Sequence, residues 1–167
     1  QRNDRVRQEL SHNFTLGLDY FFNNNSSVTI SGLYNTGNGL NTAETKYNDL
    51  DEYGETTRTV VRNEREKEDE ENIEGSLNYK KNFQRKGQVL TADVKWIKSV
   101  DNENTDYRES INQGTDSLQR SINFADEIDW LVQVDYTHPV GKQGKVETGM
   151  KTETRIIKND YGLDAQD

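Results

Sequence analysis

Residues 101–106 are the first of three groups whose types and spacing could do chemistry. They carry side-chain oxygens at alternate positions, as the ligands of a calcium-binding loop do. The central glycine and the closing glutamate of an EF-hand are missing. We therefore predict a solvated loop there, and the same for the shorter acidic run at residues 48–52. The sequence predicts no metal site and no cofactor.

The second group is the charged run EREKEDEE at residues 64–71. Such a run could attract a cationic ligand. Alternating charges on an exposed strand more commonly provide solubility and discourage edge pairing. We therefore predict an exposed strand here and no ligand site.

The two histidines, His12 and His138, form the third group. Neither has a serine or carboxylate arrangement of the kind that a catalytic set needs. His138, beside the single proline, is predicted to be an interfacial aromatic residue and not a base. Carboxylates are too numerous for a glycosidase-like pair to be identified. We predict no catalytic, cofactor-binding or metal-binding residue, and no enzyme.

Composition limits the partners of the chain. The net charge of -9 argues against nucleic acid, which needs a basic stripe, and against a basic membrane-surface helix. The absence of cysteine excludes disulfides and thiolate metal sites. No apolar run is long enough for a membrane helix, but a transmembrane strand needs only about 9–11 residues, half of which can be polar.

The elements that would position these residues are strands. A hydrophobic content of 30% suggests disorder, but aromatic and β-branched residues alternate with polar ones in short segments. Three hairpins share a tyrosine after Asp or Asn, at Tyr20, Tyr79 and Tyr136, with spacings of 59 and 57 residues. We predict an all-β fold, an antiparallel up-and-down meander of about six strands.

The connections are predicted to differ at the two ends of the meander. Short turns are expected near residues 23–27, 84–88 and 141–144, and long polar loops near residues 35–57 and 99–118. Residues 57–71 and 108–123 are predicted to be strands that project above a membrane into water. Short turns at one rim and long loops at the other are typical of outer-membrane barrels.

The strand dimensions agree with such a barrel. Residues 10–20 would advance about 33 Å, or about 23 Å along the membrane normal at a tilt near 45°, close to the roughly 25 Å apolar band of a barrel wall. Six strands are too few to close a barrel, since the smallest bacterial examples have about eight. We therefore expect residues 1–167 to be a partial outer-membrane β-barrel.

The two faces of the strands leave one alternative open. In a barrel wall, the apolar row would face lipid with aromatic girdles at its edges, and the opposite row, from Ser11 to Asp135, would face a water-filled or protein-filled lumen. Periodicity alone fits equally well a soluble extracellular β-sandwich or adhesin module, in which the apolar row is the core.

Three hairpins carry a resemblance to a known family. LDYFFNNNSSVTISGLY, LNYKKNFQRKGQVLTADVKW and VDYTHPVGKQGKVETGMKTETR resemble the barrel region of TonB-dependent receptor-like outer-membrane proteins of Bacteroidota. The most specific phrase is DYTHPVGKQGKVETGMK at residues 135–151. No substrate-binding position of the family corresponds to a motif in this sequence.

The resemblance implies location in the bacterial outer membrane, a large barrel with an N-terminal plug, and energy-coupled ligand uptake. The implied partners are outer-membrane lipid, the rest of the barrel and its plug, and a surface lipoprotein or a periplasmic energy-coupling protein. A second hypothesis is a barrel subunit of a surface or secretion complex that transports nothing itself.

Overall fold

The protein folds as one six-stranded antiparallel sheet, in a computed structural model that describes residues 2–112, 114, 116–141 and 143–166. The strands are β1 (Arg2–Asn23), β2 (Ser26–Leu50), β3 (Thr56–Asn82), β4 (Val89–Ile111), β5 (Asp116–Val140) and β6 (Gly144–Gln166). Each strand pairs with the next along the chain, which confirms the predicted up-and-down meander. The described part of the chain holds no helix long and apolar enough to cross a bilayer.

The strand register aligns the apolar positions of all six strands on one side. Leu18 lies opposite Ile30, Ile30 opposite Leu77, and Leu77 opposite Val94. Because directly opposed residues share a face, this side is defined as the apolar face and the other side as the polar face. A slip of one residue would exchange the two faces, so the apolar pattern fixes the register.

The described residues form no hydrophobic core. Ala43 is the only buried hydrophobic residue among those described, and Thr105, at 1% exposure, is the most buried side chain. Large apolar side chains are exposed instead, among them Leu16 at 79% and Met150 at 71%. A β-sandwich would bury these side chains against a second sheet. The described residues form a single sheet, so the soluble sandwich alternative is wrong.

One end of the sheet carries short connections, at residues 24–25, 83–88 and 141–143; Lys142 lies outside the described residues. We call this end the short-turn rim. In the middle connection, Gly87 has a φ of 85°, a left-handed conformation that glycine adopts without steric cost. The Asn82 N–H donates to the Asn25 carbonyl at 2.7 Å, so the first connection is hydrogen-bonded to the last residue of β3.

The predicted long loops at residues 35–57 and 99–118 are wrong. β2 continues to Leu50 and β3 begins at Thr56, while β4 continues to Ile111 and β5 begins at Asp116. Both faces of these segments are polar, so no hydrophobic alternation marks them, yet backbone pairing continues through them, with one register shift between Asp49 and Leu50. Gln113 and Thr115, in the second predicted loop, lie outside the described residues.

The strands are therefore much longer than a membrane crossing requires. They contain 22–27 residues. At about 3.3 Å per residue and a tilt near 45°, this length gives a wall about 50–60 Å tall, twice the height of a typical apolar band. The predicted projection of residues 57–71 above that band corresponds to the first half of β3.

Candidate functional site

The central part of the apolar face is free of charge. Three successive cross-strand rows contain no Asp, Glu, Lys or Arg on any of the six strands. The rows are Leu16–Gly32–Gly75–Trp96–Trp130–Thr154, Leu18–Ile30–Leu77–Val94–Val132–Thr152 and Tyr20–Val28–Tyr79–Ala92–Val134–Met150. An exposed apolar patch of this extent marks a surface in contact with lipid or another protein.

Aromatic pairs border these rows at both ends. On the far side from the short-turn rim, the rings of Phe14 and Tyr34 lie 6.5 Å apart and those of Trp96 and Trp130 lie 6.4 Å apart. Near the rim, Tyr20 and Phe22 meet edge to face at 5.0 Å, as do Phe83 and Tyr136 at 6.2 Å. Aromatic side chains at both edges of an apolar band are typical of membrane–water interfaces.

The polar face is densely hydrogen-bonded at the same level of the strands. Thr29 Oγ1 donates to Asp19 Oδ1 at 2.5 Å, Asn78 Nδ2 donates to Asp93, and the hydroxyls of Ser31 and Ser76 lie 2.6 Å apart. These contacts join neighbouring strands, so they hold the polar side chains in fixed positions.

Ion pairs continue the same network. Lys95 Nζ lies 2.7 Å from Glu74, and Arg155 donates Nε and Nη2 to the two oxygens of Asp129 at 2.9 and 3.0 Å. Charged groups are costly to move out of water even when paired. This face therefore requires an aqueous or polar neighbour.

Along the strands, farther from the short-turn rim than the three uncharged rows, the polar face becomes acidic. Every second residue of β3 from Glu64 to Glu70 points to this side, and the register sets Glu68 opposite Glu103 and Glu70 opposite Asp101. Desolvation, followed by repulsion from Glu66, raises the pKa of Glu68. Arg7, 3.5 Å from Glu68, counteracts this rise.

The predicted solvated loop at residues 101–106 is instead part of β4. Its oxygens are therefore divided between the two faces, with Asp101, Glu103 and Thr105 on the polar one. The described residues contain no group of three or more His, Cys, Asp or Glu that could hold a metal ion. Asp106 bonds to Arg120 Nε at 2.6 Å, and this hydrogen bond lowers the pKa of Asp106.

The run at residues 48–52 spans the end of β2 and the turn that follows it. Asp51 Oδ1 accepts the N–H groups of Tyr53 and Glu55, each at 2.9 Å. This carboxylate therefore stabilises the turn.

The expectation that residues 64–71 discourage edge pairing is wrong, because β3 is an interior strand paired on both sides. Strand pairing uses the backbone, so a charged run can occupy an interior strand when its side chains reach water or partners. The alternation separates most of the charges: the four glutamates at positions 64, 66, 68 and 70 lie on the polar face, and Arg65, Lys67, Asp69 and Glu71 lie on the other.

Both histidines lie on the same side of the sheet as the apolar rows. His138 Nδ1 lies 3.1 Å from the Tyr136 hydroxyl, which accepts a hydrogen bond from Gln88 Nε2 at 2.7 Å, and His138 Nε2 lies 3.3 Å from Arg85. Sequence reasoning missed this cluster. The basic composition of residues 80–86 is the only sequence signal for it.

Comparison with known proteins matches about half of the chain to a family. Residues 81–167 match the family described as "Outer membrane protein beta-barrel family". No curated protein sequence matches the chain. Among solved structures, a "KdgM porin" is 8% identical, with 95% of this chain and 98% of that chain covered, at a TM-score of 0.14. That score is too low to support any argument about function.

Proposed function

Because the chain belongs to the outer membrane β-barrel family, we propose that it forms wall strands of a barrel that scaffolds ligand uptake across the bacterial outer membrane. Its apolar face contacts lipid and its polar face lines the lumen. The protein is located in the bacterial outer membrane. The role is one of transport and structure, without catalysis.

The observation that carries this proposal is the separation of the two faces at the same level of the sheet. Three rows without charge on the apolar face lie behind polar-face rows that contain Asp19, Asp93, Lys95 and Glu153. A wall between hydrocarbon and water satisfies both faces, since each would be unstable in the other's solvent.

The outer strands of the sheet support the same arrangement. β1 and β6 each pair on one side only among the described residues. Unpaired backbone groups cost several kcal/mol each, to order of magnitude, within hydrocarbon. We propose that further strands pair with both edges and close the barrel.

The more specific form of the proposal is a TonB-dependent receptor-like barrel, with a plug and a periplasmic energy-coupling partner. Its support is the resemblance of residues 135–151 to the hairpins of such receptors, within the segment that matches the family. Binding of the purified protein to the periplasmic domain of an energy-coupling protein tests this form. Absence of binding would contradict the energy-coupled form of the proposal but not the barrel wall itself, and would favour a barrel without energy coupling.

Tryptophan fluorescence tests the orientation of the wall. Trp96 and Trp130 are the only tryptophans, and both lie on the apolar face. In vesicles of lipids brominated along the acyl chain, we expect strong quenching of both, while the aqueous quencher acrylamide has little effect. Strong acrylamide quenching without bromolipid quenching would contradict the lipid-facing orientation.

A second candidate is a barrel subunit of a surface complex without transport of its own. Long strands favour it, because the part of the wall above the apolar rows is polar on both faces and could contact a partner protein. Isolation of the protein with a stable surface partner, together with no ligand flux, would favour this candidate.

A further inference from the structure

A hollow of about 640 Å³ opens between the first two turns of the short-turn rim. The described residues that line it include Lys81, Arg85, Asn23, Asn25 and Gln88, and none of them is Asp or Glu. Lys81 lies in the same cross-strand row as Tyr136, so the hollow adjoins the apolar face. Its position is just beyond the aromatic pair Phe83–Tyr136.

The two cations of this hollow have no carboxylate partner in the described part of the chain. Lys81 Nζ lies 5.2 Å from the ring centre of Phe83, and Arg85 Nη1 lies 3.3 Å from Nε2 of the His138 ring. Several other basic residues, including Lys95, Arg120 and Arg155, form ion pairs. In a chain with a net charge of -9, this hollow therefore concentrates uncompensated positive charge.

The hollow is held in shape by its own hydrogen bonds. The Phe83 N–H donates to the Gln88 carbonyl at 3.0 Å, and the Gln88 N–H donates to the Arg85 carbonyl at 3.0 Å. The side chain of Gln88 bonds to Tyr136 on β5, so the turn is attached to a neighbouring strand. A site fixed before binding loses little entropy when it takes a ligand.

We propose that this hollow binds the phosphate group of an anionic glycerophospholipid. Lysine and arginine supply charged donors to phosphate oxygens, and the amides add neutral donors. A zwitterionic headgroup also brings an ammonium, for which the lining has no carboxylate acceptor. The acyl chains would then lie along the adjoining apolar rows. The inference rests on the proposed lipid-facing orientation of that face.

Native mass spectrometry of the whole protein, folded in detergent micelles, tests the site. The probes are phosphatidylglycerol, phosphatidylethanolamine and phosphatidylcholine of equal chain length. We expect preferential retention of phosphatidylglycerol, and a reduction of at least about tenfold in its affinity for the double variant K81Q/R85Q, since two charge-assisted contacts are lost. The charge-preserving double variant K81R/R85K should retain most of the binding.

The double variant K46Q/R58Q is the matched control, because it removes the same charge near the opposite end of the sheet. Equal retention of the three lipids, or an equal loss in this control, would overturn the proposal. Saturation by inorganic phosphate alone, with no preference for lipid, would identify a site for free anions and would also overturn it. Bromolipid quenching of Trp96 and Trp130 is independent of these outcomes, so failure of the lipid site is distinguishable from failure of the wall orientation.

Discussion

The carboxylate of Glu68 lies 3.5 Å from the guanidinium of Arg7, although β2 separates the strands that carry them. Gly39 is the β2 residue between them, opposite both Glu68 and Glu9. A Cβ at Gly39 would meet Glu68 Oε2 at 3.0 Å. Because Gly39 has no side chain, the side chain of Glu68 can extend across β2 and reach Arg7.

Replacement of Glu68 by glutamine should change the pH dependence of stability. Its pKa is raised in the folded protein above the ordinary value of 4.5. The stability linked to this group is therefore fully present below the unfolded pKa and is lost as the pH rises through the folded pKa.

We expect E68Q to remove this loss and to raise the free energy of unfolding at pH 7 by about 0.2–1 kcal/mol, because like charges opposed across strands destabilise a sheet. Urea unfolding in lipid vesicles between pH 4 and pH 7 measures both effects. An unchanged pH profile in E68Q would contradict the assignment.

Valine at Gly39 should uncouple Arg7 from Glu68. Its branched side chain would occupy the path that the Glu68 carboxylate takes across β2. A double-mutant cycle with R7Q and E68Q should give a coupling of about 0.2–1 kcal/mol in the natural background and none with G39V. Gly162→Val is the control, because no atom lies within 4 Å of a Cβ there. Coupling that persists in G39V would show that the glycine is not needed.

Adjacent residues on β5 allow the two faces to be compared directly. Val132 lies on the apolar face and Leu131 on the polar face, between Lys95 and Glu153. We expect V132R to lose about 2–4 kcal/mol of folding free energy in lipid, whereas L131R should lose much less because its guanidinium remains in the lumen.

The same contrast should hold on β1, between L16R and T15N. Leu16 lies on the apolar face and Thr15 on the polar face. The folding free energies of V132R, L131R, L16R and T15N are measured in vesicles of one lipid composition. Equal costs on both faces would exclude the lipid-facing orientation.

The bidentate contact between Arg155 and Asp129 should be the most stabilising ion pair of the polar face. Asp129 is mostly buried, with 14% of its side chain exposed, while that of Arg155 is 54% exposed. We expect R155M to lower the free energy of unfolding by more than the loss of an exposed ion pair does. K151M, which removes the exposed pair with Glu153 at 3.4 Å, should cost less than about 0.5 kcal/mol. A cost for R155M no larger than that for K151M would contradict this ranking.

Asp106 should contribute to stability with the opposite pH dependence. The hydrogen bond from Arg120 lowers its pKa below the ordinary value of 3.8. The associated stability is present above the unfolded pKa and is lost as the pH falls through the folded pKa. We expect D106N to reduce acid sensitivity below pH 4, by a small amount because both side chains are exposed. Acid unfolding monitored by circular dichroism measures the difference.

The sequence predicted the meander because apolar alternation marks the part of each strand that crosses the membrane. From Phe14 to Tyr20 every second residue is apolar, and the structure pairs these positions with uncharged residues on β2, three of them large and apolar or aromatic. The family match supports the outer-membrane location that the resemblance implied. The specific identity as a TonB-dependent receptor stays a prediction.

The upper halves of the strands could not be predicted in the same way. Where both faces are exposed to water, the side chains show no hydrophobic alternation. Pairing there is decided by backbone hydrogen bonds, which have no signature in the amino-acid composition. The interior position of residues 64–71 and the contact between Arg7 and Glu68 both depend on the register of three strands. The cluster around His138 depends on the path of a turn.

In the proposed orientation, continuation of β2 and β3 to the five-residue connection at residues 51–55 has a consequence for encounters outside the cell. A ligand or antibody that approaches the connection between β2 and β3 would meet paired strands and not a long mobile loop. Binding to paired strands requires little ordering of the backbone, so affinity there would depend on shape and charge complementarity. Proteases would find few cleavable sites besides the connections themselves, because a paired strand must open before it can be cut.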